Sequence, residues 1–187
     1  MKRIIKLLMI FTIMLSFVLF TDNKVEASGY RPGDIFITKS TSSKGLTGHT
    51  GIAISSTTIL HTSGRKSSPY PTTMSITKWF KEYPKTKVVR PKSAALGKKA
   101  ANMAKKYFKN KKIPYLITSD PKNIKNTYCS EIVWYSYYKA GKTYKVPKNS
   151  GPNMPLKWRT PSIIKPYDYI NQSYLSYNGF IYKKKKW

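Results

Sequence analysis

The chain has one cysteine among its 187 residues, so no disulfide can close within it and any domain it forms is held together by packing. That cysteine, Cys129, lies in Tyr128-Cys129-Ser130-Glu131, where a polar stretch gives way to Ile132-Val133-Trp134-Tyr135-Ser136-Tyr137-Tyr138-Lys139-Ala140-Gly141. Ile132, Val133, Ser136, Tyr137 and Ala140 recur at helical spacing and Gly141 supplies a stop, which predicts a helix with Cys129 in its first turn. Unpaired N–H groups and the positive end of the helix dipole favour a thiolate there, the nucleophilic form of the side chain. Position alone favours the usual fate of a free cysteine, a small buried hydrophobe.

The length suits one domain with a proper core, and the first residues are not expected to belong to it. Met1-Lys2-Arg3 is basic, Leu7 to Phe20 is apolar but short for a bilayer span, and Val25-Glu26-Ala27 ends in a small residue. These features predict a secretory signal peptide over 1–27 and a secreted, extracellular or cell-wall-associated domain over 28–187. The alternative is an uncleaved membrane anchor. A thiol kept outside the cell is either deeply buried or used.

Charge says where such a protein sits. The sequence carries 35 Lys and Arg against 7 Asp and Glu. The predicted leader holds four of the bases (Lys2, Arg3, Lys6, Lys24) and two of the acids (Asp22, Glu26), leaving 31 and 5 in the remainder. A field of that sign attracts polyanions, which for an exported chain means anionic cell-wall polymers such as teichoic acids, or lipid headgroups. The bases are spread along the chain without a nucleic-acid motif, so nucleic acid is not an expected partner. With no heptads and no long apolar edge, a monomer is expected.

Along the chain, Arg31 to Thr38 reads as a turn leading into a short strand, and Lys39 to Thr47 as a loop. Gly48 to Ile54 and Thr58 to Thr62 form a hairpin by their length and β-branched content, joined by Ser55-Ser56-Thr57. Gly64 to Pro71 is a polar loop, Ile76 to Tyr83 a short helix, and Thr86 to Arg90 a strand closed by Pro91. Ser93 to Phe108 has a broad apolar stripe opposite its lysines and is the clearest helix. Lys109 to Thr127 is loop-like, Pro161 to Asp168 extended, and Gly179 to Tyr182 a last strand.

A thiolate nucleophile needs an imidazole to take and return a proton, and that imidazole needs a third group to orient it. The only two histidines, His49 and His61, fall on the predicted hairpin, which folds them back beside each other. Either one alone would more often be a structural residue. Three rare residues at a helix start and on paired strands form a stronger pattern.

The segments Pro32-Gly33-Asp34-Ile35-Phe36, Gly48-His49-Thr50-Gly51-Ile52-Ala53-Ile54, Ile59-Leu60-His61-Thr62-Ser63, Tyr128-Cys129-Ser130-Glu131-Ile132-Val133 and Pro166-Tyr167-Asp168 resemble the permuted papain-like amidases, a circularly permuted (YiiX-like) branch of the NlpC-type cell-wall cysteine peptidases. Here the histidines precede the cysteine, which is the permuted order. The resemblance implies an α+β, papain-like fold in which an antiparallel sheet packs on a nucleophile-bearing helix. It implies Cys129 as nucleophile, His49 as general base and later acid, and His61 as the orienting group. The backbone N–H of Cys129 would be one oxyanion donor. Ile113-Pro114-Tyr115 resembles the family's segment ending in Pro-Tyr, whose tyrosine lines the oxyanion site, although Tyr115 stands further from the cysteine than in unpermuted members. Ser130 and Glu131 match the motif. With Tyr115, Ser130 would lie on the oxyanion and substrate side, though it reads better as a first-turn helix residue than as a participant in bond-making; Glu131 reads as a favourable charge at the helix start.

The expected activity is that of a secreted cysteine amidase or peptidase acting on peptidoglycan stem peptides through a thioester. Its rivals are a lipid acyl hydrolase or acyltransferase of the same fold, and a non-catalytic basic wall-binding protein. No cofactor and no metal are expected, since both histidines are assigned and no second cysteine exists to complete a zinc site.

Overall fold

The computed structural model describes residues 29–42, 45–148 and 157–187. The predicted signal peptide lies outside these residues. Six antiparallel strands make the main sheet: β1 (Ile35–Thr38), β2 (His49–Ala53), β3 (Thr58–His61), β4 (Thr72–Ser75), β5 (Thr86–Pro91) and, closing the chain, β8 (Phe180–Lys184), in the order β4-β3-β2-β1-β5-β8. The helices are α1 (Ile76–Glu82), α2 (Ala94–Phe108), α3 (Cys129–Lys139) and α4 (Gln172–Asn178), and a 3-10 turn spans Pro166–Ile170. A separate ribbon pairs β6 (Val146–Lys148) with β7 (Lys157–Arg159). The fold is therefore α+β with an antiparallel sheet.

Both faces of the sheet are covered, which is why β1 reads as an unbroken apolar run, Ile35-Phe36-Ile37. Ile35 and Ile37 join Ile52, Leu60 and Val89 under α2 and α3, against Ala100, Ala104, Phe108, Ile132 and Trp134. Phe36, one residue out of phase, faces the other way with Ala53, Ile59 and Val88 against Ile76, Trp79 and Tyr83 of the α1 region. The buried positions of α2 are mostly small, Gly97, Ala100, Ala101 and Ala104, so α3 packs closely along it.

The predicted strands and helices are present, with Asp34 closing the turn before β1 by accepting the Arg31 N–H at 3.0 Å. Asp34 is fully buried and also takes a bidentate pair from Arg90, Nε to Oδ1 at 2.9 Å and Nη2 to Oδ2 at 2.6 Å. Five elements were absent from the sequence reading: β4, α4, the two strands of the β6–β7 ribbon, and the 3-10 turn in place of the end of a predicted extended segment. That last region matters for the site. The Ile164 N–H donates to Tyr128 Oη at 3.2 Å, Ser130 Oγ–H donates to the Ile164 carbonyl at 2.8 Å, and Tyr169 Oη–H donates to the Ser130 carbonyl at 3.1 Å. The stretch 164–169 thus straps across the start of α3.

Candidate active site

Cys129 is the first residue of α3, entered through the extended Tyr128 (φ −137, ψ 169). Glu131 Oε2 accepts the Tyr128 N–H at 3.3 Å, holding the helix start. Burial pushes the Glu131 carboxyl up to about 7, and its Oε1 has no hydrogen-bond partner. The thiol is 5% exposed. Its burial raises the pKa above the ordinary 9.0, and interactions with Thr50 and Ser130 oppose the rise without cancelling it. The helix start was expected to favour a thiolate; desolvation outweighs it, and the resting group is a protonated thiol.

The histidines meet as the hairpin requires. Gly51 lies opposite His61 in the register, so His49 is the diagonal neighbour of His61 on the same face. His49 Nε2 and His61 Nδ1 are 3.0 Å apart. One proton lies between them, and only donation by His49 Nε2–H leaves His49 Nδ1 free to accept a proton from a thiol. His61 then carries its own proton on Nε2, a buried atom without a partner. Burial first, then His61 and Arg65, lower the His49 pKa well below 6.5; burial lowers that of His61 to about 4. Both rings are neutral at neutral pH.

Trp79 forms the wall behind them, stacked on His49 at 5.4 Å and 17° and edge-on to His61 at 5.5 Å. Gly51 makes room for it: a Cβ there would lie 2.5 Å from Ile59 Cγ2 and 3.0 Å from the Trp79 ring. Gly51→Ala is therefore expected to push Trp79 off the pair, costing on the order of 1–3 kcal/mol of stability. In a deletion-free protein that still folds, loss of the imidazole–imidazole hydrogen bond in nitrogen-15 NMR checks it.

Cys129 stands where two pockets meet. A polar one of about 160 Å³ is lined by His49, Cys129, Tyr115, Tyr83, Arg65 and Ser63 among others. An apolar one of about 500 Å³ runs from Cys129 and Tyr115 past Leu46, Ile117, Ile163 and Ile164. His49 and the thiol share the smaller pocket, and no hydrogen bond joins them in this state. His61 lies behind His49. Tyr115 lies over Gly64 (φ +66), where a Cβ would be 2.7 Å from its ring, and its backbone is held beside Thr127 by Leu116 N–H to the Thr127 carbonyl (3.1 Å) and Thr127 N–H to the Pro114 carbonyl (2.9 Å). The residues between Leu116 and Asn126 loop out and absorb the long spacing to Cys129. Burial first, and then Cys129, raise the Tyr115 pKa, so the phenol keeps its proton for donation beside the sulfur.

Ser130 lines the apolar pocket, but its hydroxyl proton is committed to the Ile164 carbonyl, so it is not placed as an oxyanion donor. Trp79, Tyr83, Gly51 and Gly64 were not singled out by sequence reasoning. Gly51 had a signal, since it lies two residues from His49 on the same face of the strand, between the β-branched Thr50 and Ile52.

The charge states set a pH expectation. Alkylation of Cys129 by iodoacetamide, followed by mass spectrometry, should rise with a midpoint above 9.0, and His49→Ala should leave that midpoint in place because the ring is uncharged there. A midpoint shifted well below 9.0 by His49 would show an imidazolium–thiolate pair instead.

A family model described as "Lipoprotein N-acylation protein LnsA-like" matches residues 1–175. The chain belongs to this LnsA-like family. Among solved structures, the metalloprotein yiiX of Escherichia coli O157:H7 matches with a TM-score of 0.53 and 21% identity, over 84% of this chain and 98% of that one. The likeness is one of fold. A curated relative, an uncharacterized 30.3 kDa protein of Bacillus thuringiensis, is 32% identical over 120 residues, 58% of this chain and 44% of that protein. This chain thus matches less than half of that relative's length. The word metalloprotein belongs to the E. coli protein: among the described residues of this LnsA-like chain, no three His, Cys, Asp or Glu side chains gather where a metal ion could be held.

Proposed function

We propose that this chain is a cysteine acyltransferase, taking a fatty acyl group from a lipid ester onto Cys129 and passing it to an amine. The observation that carries the reading is the opening of the thiol into the apolar pocket, a cleft of about 500 Å³ with room for an acyl chain, with the neutral His49 in the polar pocket on the other side. Membership of a family described by lipoprotein N-acylation supports an amino terminus of a lipoprotein as acceptor. This departs from the expected hydrolysis of stem peptides, whose polar substrates do not suit such a lining.

In this reading His49 Nδ1 takes the thiol proton as sulfur attacks the ester carbonyl. The oxyanion is met by the Cys129 N–H and the Tyr115 hydroxyl. The C–O bond breaks and the leaving alkoxide receives the proton from His49. The acceptor amine then attacks the thioester; the C–S bond breaks, the amide forms, and the amine's proton returns through His49 to sulfur. His61 accepts the His49 Nε2–H throughout, fixing the tautomer.

Incubation with phosphatidylglycerol, acid quench and intact-mass analysis tests this. An acyl adduct on Cys129 that is discharged by a lipid-modified cysteine peptide with a free amino terminus supports the reading. New termini in purified peptidoglycan fragments with no adduct from lipid would overturn it in favour of a peptidase.

A further inference from the structure

Three large hydrophobic side chains of the apolar pocket's lining stand in water, and a fourth, Leu116, adjoins them in the chain. Leu46 is 84% exposed, Ile117 56%, Leu116 54% and Ile163 42%. Leu46, Ile117 and Ile163 belong to the pocket lining, and Leu116 lies between Tyr115 and Ile117, both of which do. They come from three separate segments of chain. Single exposed apolar residues are ordinary on a protein surface, but a cluster about one opening marks an interaction surface.

The charges beside this cluster are mostly positive. The segment 109–125, which presents Leu116 and Ile117, carries exposed Lys109, Lys111, Lys112, Lys122 and Lys125, with Asp120 as its only acid. Lys165 stands exposed in the lining, and the Asp168 carboxylate nearby is engaged by the Lys165 backbone N–H at 2.8 Å. Apolar side chains that enter a headgroup layer, ringed by lysines whose stems lie along it while their ammonium groups meet phosphates, are what holds a peripheral protein on an anionic bilayer.

We propose that this rim docks on an anionic phospholipid surface, with Leu46, Leu116, Ile117 and Ile163 entering the headgroup region so that the apolar pocket opens toward the acyl chains. Docking in this orientation lets a lipid tail reach Cys129 without crossing water. The choice of a bilayer over another apolar partner rests on the acyl-transfer reading and on the lysines; the docking itself is measured apart from any turnover.

The experiment uses residues 29–187, which carry all six strands of the main sheet and both buried clusters, so that the apolar stretch 7–20 cannot contribute. Co-sedimentation compares vesicles of equal parts phosphatidylglycerol and phosphatidylcholine with vesicles of phosphatidylcholine alone. Binding to the first and about tenfold weaker binding to the second are expected. Leu116→Glu, at an exposed position outside the pocket lining, should weaken binding to the anionic vesicles by about tenfold or more while leaving the melting temperature and the rate on detergent-dispersed lipid unchanged. Leu46→Glu should weaken binding likewise.

Three results overturn the proposal: no binding to either vesicle, anionic binding indifferent to both substitutions, which assigns it to the general positive field, or a vesicle-free dimer in sedimentation velocity that Leu116→Glu disperses, which assigns the rim to a second copy. Vesicle binding that persists when no thioester forms on Cys129 would remove the acyltransferase reading and leave the docking surface. A thioester formed from dispersed lipid without vesicle binding would do the reverse.

Discussion

Cys129→Ala is expected to lower acyl transfer by a factor on the order of 10⁶, leaving only what pocket binding contributes, by analogy with removal of an active-site nucleophile elsewhere. His49→Ala should cost less, about 10²–10⁴, because a general base accelerates a step that the sulfur can still attempt alone. The gap between the two has a structural reason. Sulfur is the only nucleophile of its kind in the chain, and in the proposed scheme it starts as a protonated thiol whose proton leaves as the carbonyl is attacked. The imidazole that would take it is uncharged because burial disfavours its cation. Acyl transfer from dispersed phosphatidylglycerol to a lipid-modified cysteine peptide with a free amino terminus, followed for the two variants, measures the difference. Equal residual rates in Cys129→Ala and the unaltered protein would remove the thioester from the scheme, and indifference to His49→Ala would remove the base.

Asp34→Ala carries the largest expected cost in stability, about 3–5 kcal/mol, which for a domain of this size lowers the melting temperature by roughly 10 °C. The carboxylate is wholly buried, receives both nitrogens of the Arg90 fork and accepts the Arg31 N–H. Removing it strands a guanidinium whose side chain is only 16% exposed. Asp34→Asn keeps one acceptor and should lose less. Chemical denaturation of the two variants provides the comparison, and a loss under 1 kcal/mol in Asp34→Ala would mean that the fork relaxes outward to water.

Much of this arrangement was legible in the amino-acid order, for local reasons. The hairpin of His49 and His61 showed in its alternating β-branched residues, and the Cys129 helix in a run of apolar positions closed by a glycine. α2 showed in its stripe of alanines. What escaped notice was set by partners far away in the chain. The strap over α3 depends on Ser130 and Tyr128 reaching Ile164, 34 and 36 residues on, and no local pattern around Ile164 announces it. β4 is a four-residue polar edge strand, Thr72-Thr73-Met74-Ser75, whose pairing to β3 is decided by the neighbour and not by its own composition. α4 did carry signals, an Asn171 side chain that accepts the Ser173 and Tyr174 N–H groups and a left-handed Gly179 at its end, and these could have been found. At the site, the order of histidines and cysteine pointed to the constellation, while Trp79 could not be assigned to it. A tryptophan in a short amphipathic helix looks the same whether it fills a core or backs an imidazole. The protonation of the thiol was misjudged for a related reason: a helix start is visible in a sequence, but the depth at which it is buried is not.

The tie between the start of α3 and the stretch 164–169 also bears on when the protein becomes competent during its own synthesis. Cys129 and both histidines leave the ribosome well before Ile164 and Tyr169, yet the turn that presents the sulfur shares three hydrogen bonds with those late residues. A fragment that stops short of Ile164 would hold the cysteine and both histidines yet lack the hydrogen bonds that fasten the start of the Cys129 helix, so presentation of the sulfur depends on residues more than thirty positions further along.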